Sequence, residues 1–169
     1  MNESDCRRQI ENKSFMEKLD RIDILLLQLL QKNARLTTKE LAREVNLSIT
    51  PVYERVKRLE REGYIKRYAA ILNEDKLNCG FTVFCCVKLS RLNREIALNF
   101  VKTINSVDIV SECYNISGEY DYLLKVQTHD MKSYQEFLLN VLGTIENLGS
   151  VSSMFIMDKI KSGYIPVLK

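Results

Sequence analysis

The chain has little of what enzyme active sites and metal centres are usually built from. Of its 169 residues one is histidine, His129, and none is tryptophan, while glycine and proline number 6 and 2. A catalytic triad, a histidine metal cluster or a histidine general base would therefore rest on His129 alone. The sequence also shows no glycine-rich phosphate loop and no paired carboxylates at a recognisable spacing. We therefore expect neither an enzyme nor a bound cofactor.

Long apolar runs are also missing. The longest, such as Ile24–Leu27, are interrupted by polar residues within a few positions, far short of the ~20 apolar residues that a membrane helix needs. The first residues, MNESDCRRQIENK, lack the apolar region of a secretory signal. Hydrophobic residues make up 46% and charged residues 28%, which is typical of a globular protein. We expect a cytoplasmic protein that has no membrane partner.

The five cysteines do not suggest a metal site or a disulfide framework. They are odd in number and include no C-x-x-C pair. Cys85 and Cys86 are adjacent in a strand-like segment, so their side chains should point to opposite faces. We expect reduced cysteines that pack as small apolar residues.

Positive charge is concentrated in the first half of the chain. Up to Asn78 there are 16 lysines and arginines against 13 aspartates and glutamates, so the whole net charge of +3 lies there. A salt-bridged helical surface would account for so small an excess. The positions of the basic residues are therefore more informative than their number.

The first half reads as three helices. Apolar residues at three- and four-residue steps predict a helix from Leu19 to Leu30. A capping box formed by Thr37 and Glu40 predicts the start of a second helix. Ser48 is the expected N-cap of a third helix, which carries the apolar residues Val52, Val56 and Leu59.

The third helix carries four basic residues within seven positions. Pro51 is tolerated in its first turn, and Gly63 suits a left-handed C-terminal end. Two short helices joined by a tight turn make a helix-turn-helix. The segment Tyr64–Tyr68 is a short basic strand at the place of a wing. Four basic residues are expected to lie away from the apolar stripe: Arg55, Lys57, Arg58 and Arg61.

The second half predicts the order β-α-β-β-α-β, the ferredoxin-like arrangement. Its strands are apolar on both faces, whereas helices cover only one face of such a sheet, so we expect the other face to meet a second chain. Gly149 is expected to stop the second helix. The expected strands are 81–89, 109–116, 122–128 and 151–160, and the helices begin at Asn93 and near Met131 and carry apolar residues to Ile104 and Ile145.

With these motifs in order, the chain resembles the Lrp/AsnC (leucine-responsive regulatory protein) family. The matching segments are LDRID at 19–23, S-x-x-PV-x-x-RV-x-x-LE-x-x-G-x-I at 48–65 and G-x-x-DYLL at 118–124. The resemblance covers about residues 18–160. It implies a one-component transcription regulator with an N-terminal winged helix-turn-helix and a C-terminal βαββαβ domain of α+β class. It also implies that this domain dimerises, assembles further to a tetramer of dimers and senses a small molecule, usually an amino acid.

One position departs from the family pattern. Many relatives have proline directly after the N-cap serine, whereas Ile49 stands here and Pro51 follows two positions later. The predicted divisions of the chain are a loose tail at 1–17 with room for a short helix at its end, the helix-turn-helix at 18–66, a linker strand at 67–74 and the effector domain at 75–169.

The candidate DNA contacts lie on or near the third helix. Hydroxyls and free backbone N–H groups at the start of this helix suit contacts with phosphate, and lysine supplies a positive charge to the phosphate backbone. Arginine is long enough to reach guanine or phosphate, and glutamate can accept a hydrogen bond from cytosine. Arg55 is ambiguous, because its spacing also suits the seam between helices. The candidates are Thr38, Ser48, Thr50, Pro51, Tyr53, Glu54, Arg55, Lys57, Arg58 and Lys66.

The candidate effector residues follow from the resemblance together with ligand chemistry. A free amino acid needs acceptors for its ammonium group, donors for its carboxylate and a surface for its side chain. Asp121 and hairpin carbonyls suit the first need, and N–H groups near Gly118 suit the second. The resemblance places the pocket where dimers meet, at Asn115, Ser117, Gly118, Glu119, Tyr120, Asp121, Met131, Met154, Phe155 and Ile156.

Two other classes of function compete with a transcription regulator. Modules of βαββαβ type also serve as small-molecule-binding regulatory subunits of metabolic enzymes, but a basic helix-turn-helix has no role in such a subunit. An enzyme in its own right lacks the residues described above. The favoured function is therefore an amino-acid-responsive regulator that binds double-stranded operator DNA. The sequence leaves the effector, the operator and the sign of regulation open.

Overall fold

The computed structural model describes residues 19–74, 76–91 and 93–161. These residues form two compact units, which divide between Ala70 and Ile71. The predicted tail at 1–17 lies outside the described residues. Within the described ranges, no helix is long and apolar enough to cross a lipid bilayer.

The first unit has the predicted three helices over its described residues. They are α1 (Arg21–Lys32), α2 (Thr38–Glu44) and α3 (Ile49–Arg61). Each contributes apolar side chains at helical spacing to one core, because that face alone is shielded from water. The buried core consists of Leu26, Leu30, Leu41, Ala42, Val45, Val52 and Leu59.

The helix ends follow the local sequence closely. Thr37 and Glu40 form the predicted capping box of α2, and hydrogen bonds from the Thr37 backbone N–H and hydroxyl hold the pKa of Glu40 below its usual value. Ser48 is the N-cap residue of α3, as predicted, but its side chain makes no capping hydrogen bond. Gly63 has φ +79°, which confirms the predicted left-handed end.

The segment after α3 corrects one prediction. Residues 64–74 form no strand, so the predicted basic strand Tyr64–Tyr68 and the linker strand at 67–74 are both wrong. A strand needs a neighbour, and the sheet found in the described residues is built from strands of the second unit. Within the first unit, Tyr68 contacts α3 instead, and its hydroxyl donates to Glu60 at 2.9 Å. Burial and this carboxylate raise the pKa of Tyr68 to about 12.

The second unit has the predicted β-α-β-β-α-β order. In the described residues its sheet has four antiparallel strands in the order β2-β3-β1-β4. Two helices pack on one face through Phe100, Ile104, Tyr134 and Phe137. The elements are β1 (Phe81–Leu89), α4 (Arg94–Asn105), β2 (Val110–Asn115), β3 (Tyr122–Thr128), α5 (Met131–Asn140), a 3₁₀ turn (Leu142–Thr144) and β4 (Leu148–Phe155).

The sheet register defines two faces. Val83, Cys85 and Val87 of β1 lie in the core beneath the helices. Because strand side chains alternate, Phe84 and Cys86 point to the other side, which we call the helix-free face. The prediction that Cys85 and Cys86 point to opposite faces is therefore confirmed.

The boundaries around Gly149 differ from the prediction. Helix α5 ends at Asn140 rather than reaching Ile145, the chain turns at Asn147 with φ +64°, and Gly149 lies inside β4 instead of stopping a helix. A Cβ at Gly149 would lie 3.0 Å from the Lys88 carbonyl oxygen and 3.0 Å from the Ser90 nitrogen. This glycine is thus needed for close approach at a β-bulge.

The end of the last strand also differs. β4 ends at Phe155, not at the predicted Ile160. Phe155 is the partner of Val83, close to the start of β1. Beyond it, the single further bond from the Ile156 nitrogen to the Thr82 carbonyl oxygen closes the ladder.

Replacing Gly149 with valine should destabilise the second unit by about 3 kcal/mol, because backbone atoms of β1 cannot move aside cheaply. The matched control is Ser150→Val at the next, exposed position of the same strand, which should cost less than about 0.5 kcal/mol. Urea unfolding, combined with amide exchange of β1 and β4, measures both. Equal stabilities of the two variants would contradict the close-approach role.

Candidate nucleic-acid interface and effector site

One face of α3 is open to solvent. Thr50, Tyr53, Glu54 and Lys57 are exposed, while Val52 and Leu59 on the opposite face are fully buried. Lys57 pairs with Glu60 at 2.9 Å, which raises the pKa of Lys57, and its Nζ lies 5.9 Å from the centre of the Tyr53 ring. We call Ser48, Thr50, Tyr53, Glu54 and Lys57 the recognition face.

The start of α3 presents unsatisfied donors next to this face. The first backbone N–H groups of a helix have no intrahelical acceptor, and the Ser48 side chain makes no capping hydrogen bond with them. Of the remaining candidates, Pro51 is exposed in the first turn of α3, Lys66 is exposed beyond its end, and Thr38 is half-buried in the first turn of α2. Hydroxyls and N–H groups placed like this suit an anion such as phosphate.

The two arginines in the middle of α3, Arg55 and Arg58, bind aspartates at the start of α1. Arg55 donates to Asp20 at 2.5 Å and to Asp23 at 2.8 Å, and Arg58 donates to the other carboxylate oxygen of Asp23. The predicted position of Arg58, away from the packing face of α3, is therefore wrong. Arg55 lies at the helix–helix seam, which was one of its two expected places. Both side chains connect α3 to the start of α1.

Asp23 is the buried centre of this connection. Its side chain is 1% exposed, and it also accepts from the Asp20 backbone N–H at 3.1 Å. The hydrogen bonds to Asp23 and Asp20 raise the pKa of Arg55. Burial alone would raise the pKa of Asp20, but hydrogen bonds from the Asp23 N–H and Arg55 together lower it. We call Asp20, Asp23, Arg55 and Arg58 the arginine clamp.

Asp23 is not among the predicted site residues, although the sequence carries a signal for it. Asp23, Leu26 and Leu30 follow one another at three- and four-residue steps and are the buried residues of α1. An acidic residue within such a stripe indicates a buried carboxylate that needs a basic partner. Arg55, whose spacing also suited the seam between helices, is one of the two basic partners.

The candidate effector hairpin lies at one end of the sheet. Gly118 has φ +130°, so the turn between β2 and β3 requires glycine. The Asp121 carbonyl oxygen accepts from the Ile116 N–H at 2.9 Å and from the Asn115 side chain at 3.0 Å. Its carboxylate accepts from the Leu89 N–H at 2.8 Å. Ser117, Gly118 and Glu119 are exposed and Tyr120 is half-buried.

The apolar effector candidates lie at the other end of the same sheet. Met131 follows the far end of β3, and Phe155 sits beside Val83, two residues from the start of β1. Six residue steps of β3 separate this end from the hairpin, about 20 Å at the usual rise. One chain therefore does not bring the predicted effector residues together. The residues at the apolar end are Met131, Met154, Phe155 and Ile156, and all of them are exposed.

A separate cavity lies on the helical side of the second unit. Its volume is about 280 Å³, and none of the candidate effector residues lines it. The Thr103 and Thr144 hydroxyls on its wall already donate to the Asn99 and Val141 carbonyls. It is bounded by Ile96, Asn99, Phe100, Thr103, Thr144, Ile145, Glu146 and Asn147.

Comparison with known proteins matches both units to described families. Residues 19–66 match a winged helix-turn-helix DNA-binding family, and residues 82–166 match the Lrp/AsnC ligand binding domain. The chain is 38% identical over 143 residues to the DNA-binding transcriptional activator DecR of Escherichia coli K12, with 85% of this chain and 94% of that protein covered. It is 36% identical over 151 residues to the leucine-responsive regulatory protein of the same organism, with coverages of 89% and 92%.

Solved structures agree with these matches. A transcriptional regulator from Neisseria meningitidis in complex with L-Met superposes with a TM-score of 0.85 at 34% identity, covering 88% of this chain and 97% of that one. An AsnC family regulator from Agrobacterium tumefaciens gives 0.83 at 34% identity, with the same coverages. The winged helix-turn-helix, the ligand-binding domain and the extent of the matches together show that the chain belongs to the Lrp/AsnC family of DNA-binding transcription regulators.

Proposed function

We propose that the chain binds specific double-stranded DNA through α3 as a homodimer and adjusts that binding to the concentration of an amino acid. The observation that carries the proposal is the open recognition face of α3, placed on a helix-turn-helix that precedes a small-molecule-binding domain. We place the protein in the cytoplasm, since its DNA partner is there.

The recognition face has the chemistry for both positioning and base reading. Ser48 and Thr50, with the free N–H groups of the first turn, suit phosphate contacts that set the register on the duplex. Glu54 can accept from a cytosine amino group in the major groove, and Lys57 supplies a positive charge to the backbone. Tyr53 offers an exposed ring to the sugar edge of the groove.

Dimerisation is supported by the helix-free face of the sheet. Phe84 is paired with Met154 and Cys86 with Leu123, so four apolar side chains lie close together on this face. Their other partners in the register are Lys125 and Ser152, so the face is less apolar than the sequence predicted. A sheet face of this kind is normally covered. A second copy of the chain is the occupant that fits, because a dimer also joins two helix-turn-helix units, each of which reads only a half-site.

The effector pocket is proposed to form between chains. The polar hairpin and the apolar end lie at opposite ends of one sheet, so a ligand that needs both must bridge two molecules, as in a tetramer of dimers. Asp121 and hairpin carbonyls would take the ammonium group, N–H groups near Gly118 the carboxylate, and Met131 and Phe155 the side chain. Apolar neighbours favour an uncharged side chain, and the Neisseria relative was solved with L-Met.

DNA binding is tested by recovering preferred duplexes from a random 30-base-pair library with the full chain. On the recovered duplex, Thr50→Ala/Lys57→Ala should lose affinity by about tenfold or more, since a hydrogen bond to a charged phosphate is worth about 1.5–3 kcal/mol. The slope of affinity against salt should fall by about one unit for the lost phosphate contact. The control, Lys102→Ala, removes an exposed lysine of α4 and should change neither quantity.

Two outcomes would contradict this function. Failure of the wild-type chain to enrich any duplex would favour a regulatory subunit of an enzyme instead. Undiminished affinity in the double variant, with normal folding, would show that the recognition face is elsewhere.

A further inference from the structure

We infer that Asp23 is a specificity-determining residue that never touches DNA: it withholds Arg55 and Arg58 from the phosphate backbone and fixes α3 in position. The inference rests on the proposed DNA-binding function. It assigns the arginine clamp a purpose beyond holding the fold together.

The clamp neutralises the charge of Arg55 and Arg58. Arginines on a recognition helix attract any duplex, because phosphate binding is independent of sequence and releases counterions. Here the two arginines in the middle of α3 are neutralised by two aspartates of the same unit, at 2.5 Å and 2.8 Å for Arg55. The helix therefore offers less positive charge to DNA than its sequence suggests.

The burial of Asp23 makes the clamp costly to open. The Asp23 side chain is 1% exposed, whereas Arg55 and Arg58 are 27% and 34% exposed. The Arg58 Nε is buried and finds no hydrogen-bond partner in the described part of the chain. An arginine held by a buried carboxylate is costly to detach, because detachment leaves that charge without its partner. Arg58 is thus kept on α1, unlike an exposed ion pair, which breaks readily.

The clamp also fixes the orientation of α3 about its axis. Apolar contacts between helices are non-directional, so Val52 and Leu59 alone permit α3 to roll slightly about its axis. Charged hydrogen bonds are directional and short. The clamp joins residues 55 and 58 of α3 to both oxygens of one fixed carboxylate. It therefore fixes which side chains of α3 face the groove.

The test compares full-length wild type with Asp23→Asn, which keeps an acceptor of the same shape but loses the charge. Affinities are measured by fluorescence anisotropy over a salt series, on the duplex recovered above and on a scrambled duplex of equal length. The matched control is Glu44→Gln, which changes net charge by the same amount but opens only the exposed pair with Arg43. It should leave both affinities within about twofold.

For Asp23→Asn we expect tighter binding to the scrambled duplex and a salt slope steeper by about one to two units, one for each arginine released. The ratio of specific to scrambled affinity should fall about tenfold or more. A merely structural role would lower the folded fraction and weaken both duplexes equally, without steepening the slope. Unchanged slope and ratio in a folded Asp23→Asn variant would overturn the inference.

A second variant decides the matter even where Asp23→Asn fails to fold. Arg58→Gln leaves Asp23 bonded to Arg55 and to the Asp20 N–H. If Arg58 is withheld from DNA, this variant keeps the wild-type salt dependence of affinity for the scrambled duplex. If Arg58 contacts phosphate, the slope of that salt dependence falls by about one unit, and the inference is wrong. A wild-type chain with no preferred duplex would instead overturn the proposed function and this inference together.

Discussion

Replacing Phe84 with aspartate is expected to leave the protein monomeric at micromolar concentration. Phe84 lies on the helix-free face, outside the core beneath α4 and α5, so the change should spare folding of the unit. It would place a further carboxylate beside Lys125, which already pairs with Glu112, in the centre of the proposed dimer interface, and an apolar contact does not accept that charge. Light scattering and sedimentation of the full chain measure the mass directly.

The same change should lower operator affinity by about a hundredfold or more, because two half-site contacts joined on a dimer gain affinity through effective concentration. The matched control is Leu98→Asp. Leu98 is 59% exposed on α4, on the helical side of the sheet, so its replacement should preserve the dimer. A dimeric Phe84→Asp variant with wild-type affinity would show that the chains meet on another surface.

Local sequence signals predicted the helices well, because their causes are local. The capping box at Thr37, the N-cap at Ser48 and the left-handed Gly63 each depend on a few neighbouring residues. The βαββαβ order followed in the same way from periodicity. Where a signal depended on distant partners it failed: the basic segment after Gly63 has strand-like residues but no strand to pair with.

Gly149 shows the same limit at a single residue. Glycine near the end of an apolar helix normally signals a stop, but here the requirement comes from the Lys88 carbonyl and the Ser90 nitrogen, some sixty positions earlier in the chain. Arg58 is the corresponding case in the candidate site. Its spacing suggested a residue facing the duplex, and only the buried Asp23, 35 positions away, shows where its side chain is held.

The effector candidates illustrate what a resemblance transfers and what it does not. The hairpin and the apolar end were predicted as one pocket, yet a single chain separates Gly118 from Met131 by the length of β3. Residues can belong to one site in an assembly while lying far apart in each subunit. The proposed pocket therefore requires the proposed assembly, and a ligand bound there would shift that assembly by its differential affinity for the arrangements.

Replacing Asp121 with asparagine is expected to abolish the response to the effector while leaving DNA binding without effector intact. The Asp121 carboxylate accepts from the Leu89 N–H, so alanine at this position would also loosen the end of β1. Asparagine keeps an acceptor for that N–H but removes the charge offered to the ligand's ammonium group. A lost charged hydrogen bond is worth about 1.5–3 kcal/mol, or about 10- to 150-fold in affinity. Calorimetry of the full chain against the twenty amino acids, L-Met first, measures the effect.

Two further variants make the result interpretable. Glu95→Gln removes an exposed carboxylate of α4, outside the candidate residues, and should keep wild-type affinity for the amino acid. Gly118→Val should lose binding as completely as Asp121→Asn, because φ +130° is strained for valine and the turn would open. If Asp121→Asn binds the amino acid as tightly as wild type, the hairpin is not the site, and the cavity bordered by Phe100 and Glu146 becomes the place to test. If none of the twenty binds the wild-type chain, the regulator acts without an amino-acid effector.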